Sequence, residues 1–175
     1  MHRRLTLLSS ISLLLVLVCG ASAEPRVASE LELKAAYLFN FIKYVEFPEK
    51  LTHINICLHS AEAEFESQLF AFVRAKSASD SVSVVKLSGA REIHNCHVLF
   101  LGGENDPATA ELIHKARELP ILSVGENEQF CNEGGIVRLY RDGTQIRFEI
   151  NLAQARKNFL VISSKLLQLA KICAQ

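Results

Sequence analysis

The stretch Gly134-Gly135-Ile136-Val137-Arg138-Leu139-Tyr140-Arg141-Asp142-Gly143-Thr144-Gln145-Ile146-Arg147-Phe148-Glu149-Ile150 decides the fold. Two runs of β-branched and aromatic residues flank Arg141-Asp142-Gly143-Thr144. Asp-Gly between such runs favours the tight turn of an antiparallel hairpin, because glycine takes positive φ at no steric cost. Alternation in the second run sends Ile146, Phe148 and Ile150 to one face and Gln145, Arg147 and Glu149 to the other, so one face is expected to be wet. Towards the C-terminus, Asn151 is placed to cap a short helix, with Gln154 where a capping-box side chain reaches back. Leu160-Val161-Ile162 is expected as a buried connection. Ser163 or Ser164 then caps a last helix carrying Leu166, Leu169, Ala170 and Cys173 along one side.

Towards the N-terminus, Ile121-Leu122-Ser123-Val124 is a short buried strand ended by Gly125, and Cys96-His97-Val98-Leu99-Phe100-Leu101 is nearly continuously apolar, as a parallel strand covered on both faces must be. Asp106 caps a helix beginning at Pro107 and turning Leu112, Ile113 and Ala116 inward. Val82 to Leu87 and His53 to Leu58 supply two further strands, and a helix across Ala61 to Arg74 turns Phe65, Leu69, Phe70 and Val73 inward. Lys76 to Ser81 is a loop. The longest helix runs from Glu30 to Phe47, where Leu31, Ala35, Leu38, Ile42 and Val45 draw a stripe and Pro48 ends it. Its other side is also apolar, so Phe39 and Phe41 are candidates for self-association. The order of elements gives an α/β class: a mixed, largely parallel sheet between helix layers, with a late antiparallel hairpin and a docked C-terminal helix.

Residues 1–23 stand apart. Arg3-Arg4 leads into the apolar run Leu13 to Val18 and the small-residue site Ala21-Ser22-Ala23, the pattern of a secretory signal peptide cleaved near Ala23. Lipidation at Cys19 is the weaker reading, because Val18 sits where a small residue is needed. Without residues 1–23 the 175-residue chain keeps 152, with Lys+Arg falling from 19 to 17 and Asp+Glu staying at 19, a formal net charge of −2. Residues 24–175 are expected to form one domain in the periplasm. The near-zero charge offers no footprint for nucleic acid, and no later apolar run approaches the ~20 residues of a membrane span, so no direct membrane insertion is expected.

The residues that could carry chemistry are few. Gly102 to Asp106 and Gly125 to Asn127 fall at carboxyl ends of strands, where a parallel sheet can hold a small-molecule ligand, but the signal is weak beside plain βα turns: the acidic tips repel phosphate and no Gly-x-Gly-x-x-Gly or Walker lysine is present. His94, Cys96 and His97, with Cys57 and His59 on another strand, could be imagined as a metal site. Cys96 and His97 are adjacent, however, and point to opposite faces of a strand. In an oxidising compartment two strand cysteines pair more readily than they hold zinc, so a Cys57–Cys96 bridge, free thiols and a metal stand in that order. Cys131 and Cys173 are a second bridge or free thiols. Glu64, Glu66, Glu126 and Glu128 lack the setting of a tuned acid–base pair, and there is no nucleophile elbow. No enzyme, cofactor or metal is expected.

The chain resembles the YfiR-like family of small periplasmic proteins. The resemblance rests on Leu33-Lys34-Ala35-Ala36-Tyr37-Leu38-Phe39-Asn40-Phe41-Ile42-Lys43-Tyr44-Val45 with Phe47-Pro48, on Cys96-His97-Val98-Leu99-Phe100 and Gly134-Gly135, and on Arg147-Phe148-Glu149-Ile150-Asn151-Leu152-Ala153 with Ser163-Ser164-Lys165-Leu166-Leu167. It implies a homodimeric α/β domain that binds the periplasmic sensory domain of an inner-membrane diguanylate cyclase and holds it inactive. Such a repressor lowers cyclic di-GMP and biofilm formation. The resemblance also implies a disulfide between Cys57 and Cys96, and redox control through a second pair. One member of that pair matches Cys131, while the partner position holds Arg138, so Cys173 would have to substitute. Partner contact is expected at Arg147, Glu149 and Asn151, on the wet side of the hairpin. The alternative reading is a periplasmic small-molecule sensor with its ligand at Gly102 to Asp106.

Overall fold

A computed structural model describes residues 29–77, 81–103 and 106–173. The signal-peptide reading, the middle of the Lys76–Ser81 loop, and Glu104 and Asn105 of the expected groove lie outside the described residues.

Helix α1 (Glu30–Tyr44) opens with a complete capping box, in which the Ser29 hydroxyl accepts from the Glu32 amide and the Glu32 carboxylate accepts from the Ser29 amide. It ends three residues before the expected Phe47, because Val45–Glu46 is drawn out as strand β1 to pair antiparallel with β8 (Val161–Ile162). Strand β2 (Ile54–His59), helix α2 (Ala63–Lys76), strand β3 (Val82–Lys86), a 3-10 turn (Glu92–Asn95) and strand β4 (Val98–Leu101) follow. Helix α3 (Pro107–Ala116) starts as its sequence dictates, with Asp106 Oδ1 accepting from the Thr109 amide at 2.7 Å and Pro107 at the first helical position. Strands β5 (Leu122–Gly125), β6 (Val137–Asp142) and β7 (Gln145–Ile150), helix α4 (Leu152–Lys157), helix α5 (Ser164–Leu167) and strand β9 (Lys171–Ile172) complete the described chain.

Among the described residues the main sheet runs β3-β2-β4-β5-β6-β7-β9. Neighbours from β3 to β6 are parallel, β6 and β7 form the antiparallel hairpin, and β9 lies parallel to β7 at the edge. The hairpin turns where Asp142-Gly143 predicts, with Gly143 at φ 61°. Alternate residues of the inner strands feed two cores. Ile56, Leu58, Val98, Phe100, Leu122 and Val124 pack with α1 and α2, while Cys57, Leu99 and Leu101 pack with α3.

The Gly134-Gly135 pair has a packing reason. Phe130 is 1% exposed, and a Cβ on Gly125 or Gly135 would strike its ring. The ring therefore lies between two backbones that only glycine lets approach.

Three details depart from the sequence reading. Phe70 points outward at 51% exposure, beside Arg74, whose guanidinium lies 5.9 Å from the ring centre. The docked C-terminal helix is a single turn capped by Ser163, after which the chain becomes β9 and leaves Leu169 in solvent. Leu160-Val161-Ile162 is not wholly buried. Its β8 pairing turns Leu160 and Ile162 inward and Val161 outward.

Candidate functional site: a clamped sheet edge and an exposed ribbon

The expected Cys57–Cys96 pair is bonded, and so is Cys131–Cys173, which the sequence leaves open as a bridge or free thiols. Cys57 joins Cys96 across β2 and the start of β4, with Cα atoms 5.7 Å apart, and Cys131 joins Cys173 with Cα atoms 6.4 Å apart. Cys173 thus fills the role that Arg138 cannot, and its bond ties the end of β9 to the loop before β6. Arg138 has a different use. Its Nη1 donates to Glu149 Oε1 at 2.8 Å, Lys171 Nζ of β9 lies 3.7 Å from the other carboxylate oxygen, and the guanidinium also stands 5.1 Å from the Tyr140 ring centre.

These contacts correct part of the expected contact surface. Glu149 occupies the side of β7 opposite Phe148 and Ile150, as alternation predicts, but Arg138, Lys171 and the Cys131–Cys173 bond surround its carboxylate and leave it 8% exposed. Asn151 is committed to structure. Its Oδ1 accepts from the Gln154 amide as the α4 cap, and its Nδ2 donates to the Cys131 carbonyl at 3.0 Å. Gln154 does not close a capping box. It turns inward and donates to the Arg117 carbonyl and to Asn158 Oδ1. Of the three residues only Arg147 is exposed, paired with Asp142 at 2.9 Å. Beside it the edge shows Leu169, 73% exposed, Ile172, 49% exposed, and the Lys171 side chain.

Phe39 and Phe41 are likewise covered within the subunit, at 7% and 1% exposure. Phe41 packs edge-on to Phe148, and Phe39 edge-on to Phe72 under Lys43. The helix is apolar nearly all round because the sheet takes one side and α2 another. It therefore presents neither ring to a second chain.

Metal chemistry finds poor donors. The ligand atoms of Cys131, Glu149 and Cys173 lie within 4.8 Å of one another, but the two sulfurs are bonded to each other and the carboxylate already meets Arg138 and Lys171. The sulfurs of Cys57 and Cys96 are also bonded together, and His97 Nδ1 accepts from the Asn55 amide at 3.0 Å.

At the carboxyl ends of β4 and β5, Glu126 forms an ion pair with Lys34 at 2.7 Å, and Gly102 packs against the Ser60 carbonyl. A more apolar recess lies at the opposite ends of those strands. It holds about 200 Å³ and is walled by Phe47, Pro48, Leu51, Leu119, Pro120 and Ile121. His97 borders it with its pKa held below the ordinary 6.5, first by burial and second by the nearby charge of His53. With Nδ1 accepting a backbone hydrogen bond, the neutral ring carries its proton on Nε2.

Phe47 and Pro48 of this recess follow the β1–β8 ribbon, on which Glu46 and Val161 face outward, with Tyr44 exposed just before β1 and Phe159 just before β8. Phe159 is 72% exposed and sits at φ 59°, a left-handed conformation that an aromatic residue adopts only when its surroundings impose it. The turn that ends α4 imposes it, with the Phe159 amide donating to the Arg156 carbonyl and the Leu160 amide to the Ala155 carbonyl. The buried Asn158 amide reaches the carbonyls of Ala116, Leu119 and Ile121, which fastens the α4–β8 corner to the loop between α3 and β5. The sequence reading named neither residue. An Asn-Phe pair immediately after a short helix was the available signal, since asparagine competes for backbone partners at helix ends.

Among curated proteins none matches the sequence. Solved structures share the fold at low identity. A Streptococcus pneumoniae ABC domain in complex with L-Trp aligns at TM-score 0.54 and 14% identity over 79% of this chain and 61% of that one. A conserved domain protein from Vibrio cholerae O1 biovar El Tor aligns at TM-score 0.55 and 14% identity over 82% and 60%. This chain therefore spans about three-fifths of each of those proteins. Among the described residues no helix is long and apolar enough to cross a membrane, and two disulfides suit a protein of the cell envelope. With the family model matching residues 31–171, most of the chain, the chain belongs to the YfiR/HmsC-like family of periplasmic regulatory proteins.

Proposed function

We propose that this protein is a periplasmic negative regulator that binds the sensory domain of an inner-membrane diguanylate cyclase, holds the cyclase inactive, and so lowers cyclic di-GMP and biofilm formation. The observation that carries this reading is the family match over residues 31–171. The regulator acts as a homodimer in this reading, and its redox state governs whether the client is held.

Inhibition by binding needs a difference in affinity. A regulator that gripped both shapes of its client equally would shift nothing, and moving a population from mostly active to mostly inactive takes roughly 10⁴-fold preference. The clamped sheet edge is the surface suited to that grip. Arg147, Lys171, Leu169 and Ile172 combine charge with exposed apolar area. Glu149 and Asn151 belong to the same site as supports: Glu149 holds Arg138 and Lys171, and Asn151 fixes the Cys131 backbone to α4.

The test is capture of a purified cyclase periplasmic domain by the processed protein, with cyclic di-GMP measured in a deletion strain. Arg147→Glu and Ile172→Asp should each weaken capture by at least about tenfold, and the deletion should raise cyclic di-GMP. Unchanged capture by both variants would remove this edge from the reading, and an unchanged messenger level would remove the client.

A further inference from the structure

We infer that reduction of the Cys131–Cys173 bond turns this part of the sheet edge into a zinc site, with the two sulfurs and the Glu149 carboxylate as its protein ligands. The inference goes beyond the regulatory reading and does not depend on which client is held.

The donors are already gathered. One carboxylate oxygen of Glu149 and the sulfurs of Cys131 and Cys173 lie within 4.8 Å of one another, and all three residues are buried. Among the described residues no other set of three histidine, cysteine or acidic side chains brings its donor atoms so close together. Two thiolates and a carboxylate suit zinc, whereas calcium and magnesium take oxygen ligands. A zinc–sulfur distance of about 2.3 Å sets tetrahedral sulfurs about 3.8 Å apart, so the freed side chains have only to part slightly.

The site is held by more than the bond that closes it in the oxidised chain. The Cys131 carbonyl accepts from Asn151 Nδ2 at 3.0 Å, and the Cys173 amide donates at 3.0 Å to the carbonyl of Ile150, the residue after Glu149. Neither hydrogen bond passes through sulfur, so reduction leaves both cysteine backbones tied beside the carboxylate. Arg138 Nη1 donates to Glu149 Oε1 at 2.8 Å and orients it, as outer-shell partners of metal ligands do. Oε2 meets only the exposed Lys171, at 3.7 Å, which turns outward to admit the ion. A dication with three anionic ligands leaves one negative charge, which Arg138 offsets. Cys131 also borders an open recess of about 370 Å³ with Arg117, Asn132 and Lys157, which gives the ion an entry and leaves the fourth position to water.

The reductant is a dithiol of the thioredoxin class. It gives up two electrons and becomes a disulfide as the Cys131–Cys173 bond breaks to two thiols. Zinc then displaces one proton from each thiol, and water takes the protons.

Cobalt(II) is the probe. The processed chain, reduced with a phosphine and kept from oxygen, should bind one cobalt ion with sulfur-to-metal charge-transfer absorption, and added zinc should displace it. The oxidised chain should show none. Glu149→Gln, which keeps both cysteines, should weaken cobalt binding by at least about tenfold, and Cys131→Ser should abolish the absorption, with circular dichroism reporting the fold of each. Zinc should also restore resistance to proteolysis around Leu169 in the reduced wild type. A reduced chain that binds no cobalt overturns the inference. Absorption that survives in Cys131→Ser also overturns it, by assigning the metal to Cys57 and Cys96. Should Cys131→Ser fail to fold, Glu149→Gln decides, and binding unchanged in that variant overturns the site as assigned.

Discussion

At the scale of single residues, two positions make sharp demands. Gly135 faces the Phe130 ring with no room for a methyl group, and Phe130 is itself buried between Gly125 and Gly135. Gly135→Ala should cost about 1–3 kcal/mol through overpacking, read as a lower urea midpoint. His97 sets a pH dependence. Its folded pKa lies below the ordinary 6.5, so its contribution to stability is complete above that value and is lost as pH falls, since the unfolded chain then takes up the proton more readily. Protonation also ends the hydrogen bond its Nδ1 accepts from Asn55. Urea midpoints measured between about pH 7.5 and about pH 5.5 should fall more steeply for wild type than for His97→Asn, whose amide oxygen can still accept from that N–H. Equal slopes would place the pH dependence elsewhere.

Elements show which parts of the fold are written locally. The hairpin was legible because Asp142-Gly143 names its own turn and β7 alternates cleanly, and α3 was legible because Asp106-Pro107 names its own start. Strand β9 was hidden. Lys171 and Ile172 follow Leu166 and Leu169 at helical spacing, and a two-residue strand has no period to set against that pattern. What draws it out is tertiary, namely the Cys131–Cys173 bond and the pairing with Glu149 and Ile150. Glu149 was hidden for a related reason. Alternation identifies the side of a strand, and only side chains brought from elsewhere, here Arg138, Lys171 and the Cys131–Cys173 bond, decide whether that side is covered. The outward-facing Phe159 was illegible because the left-handed position that ends a helix is ordinarily filled by Gly or Asn, so an aromatic residue there carries no signal of it. Cys173→Ser tests the clamp. Opening a loop of 42-residue separation should lower stability by about 2–4 kcal/mol, and pulsed proteolysis should then cut around Leu169 first, while the β6–β7 hairpin stays protected.

For the whole molecule, two exposed patches stand on two sheets. The β7–β9 edge of the main sheet combines Arg147 and Lys171 with Leu169 and Ile172, and the separate β1–β8 ribbon sets Val161 opposite Glu46, with Phe159 just before β8. Arg147 is exposed as the sequence reading expects, whereas Val161, expected in a buried connection, is also exposed. The α1 stripe could not reveal which of its sides the sheet and α2 would cover, so Phe39 and Phe41 looked available until the packing was seen.

The order of the cysteines along the chain has a consequence for biogenesis. Cys57 bonds Cys96 before Cys131 bonds Cys173, so the two covalent rings follow one another without overlapping or nesting. A thiol oxidase that joined neighbouring cysteines as the polypeptide emerged N-terminus first would reach the native connectivity directly, with no mispaired species to shuffle. The yield of correctly bridged protein should therefore depend on the oxidase and be indifferent to loss of the isomerase, as non-reducing peptide maps from the two mutant strains would reveal.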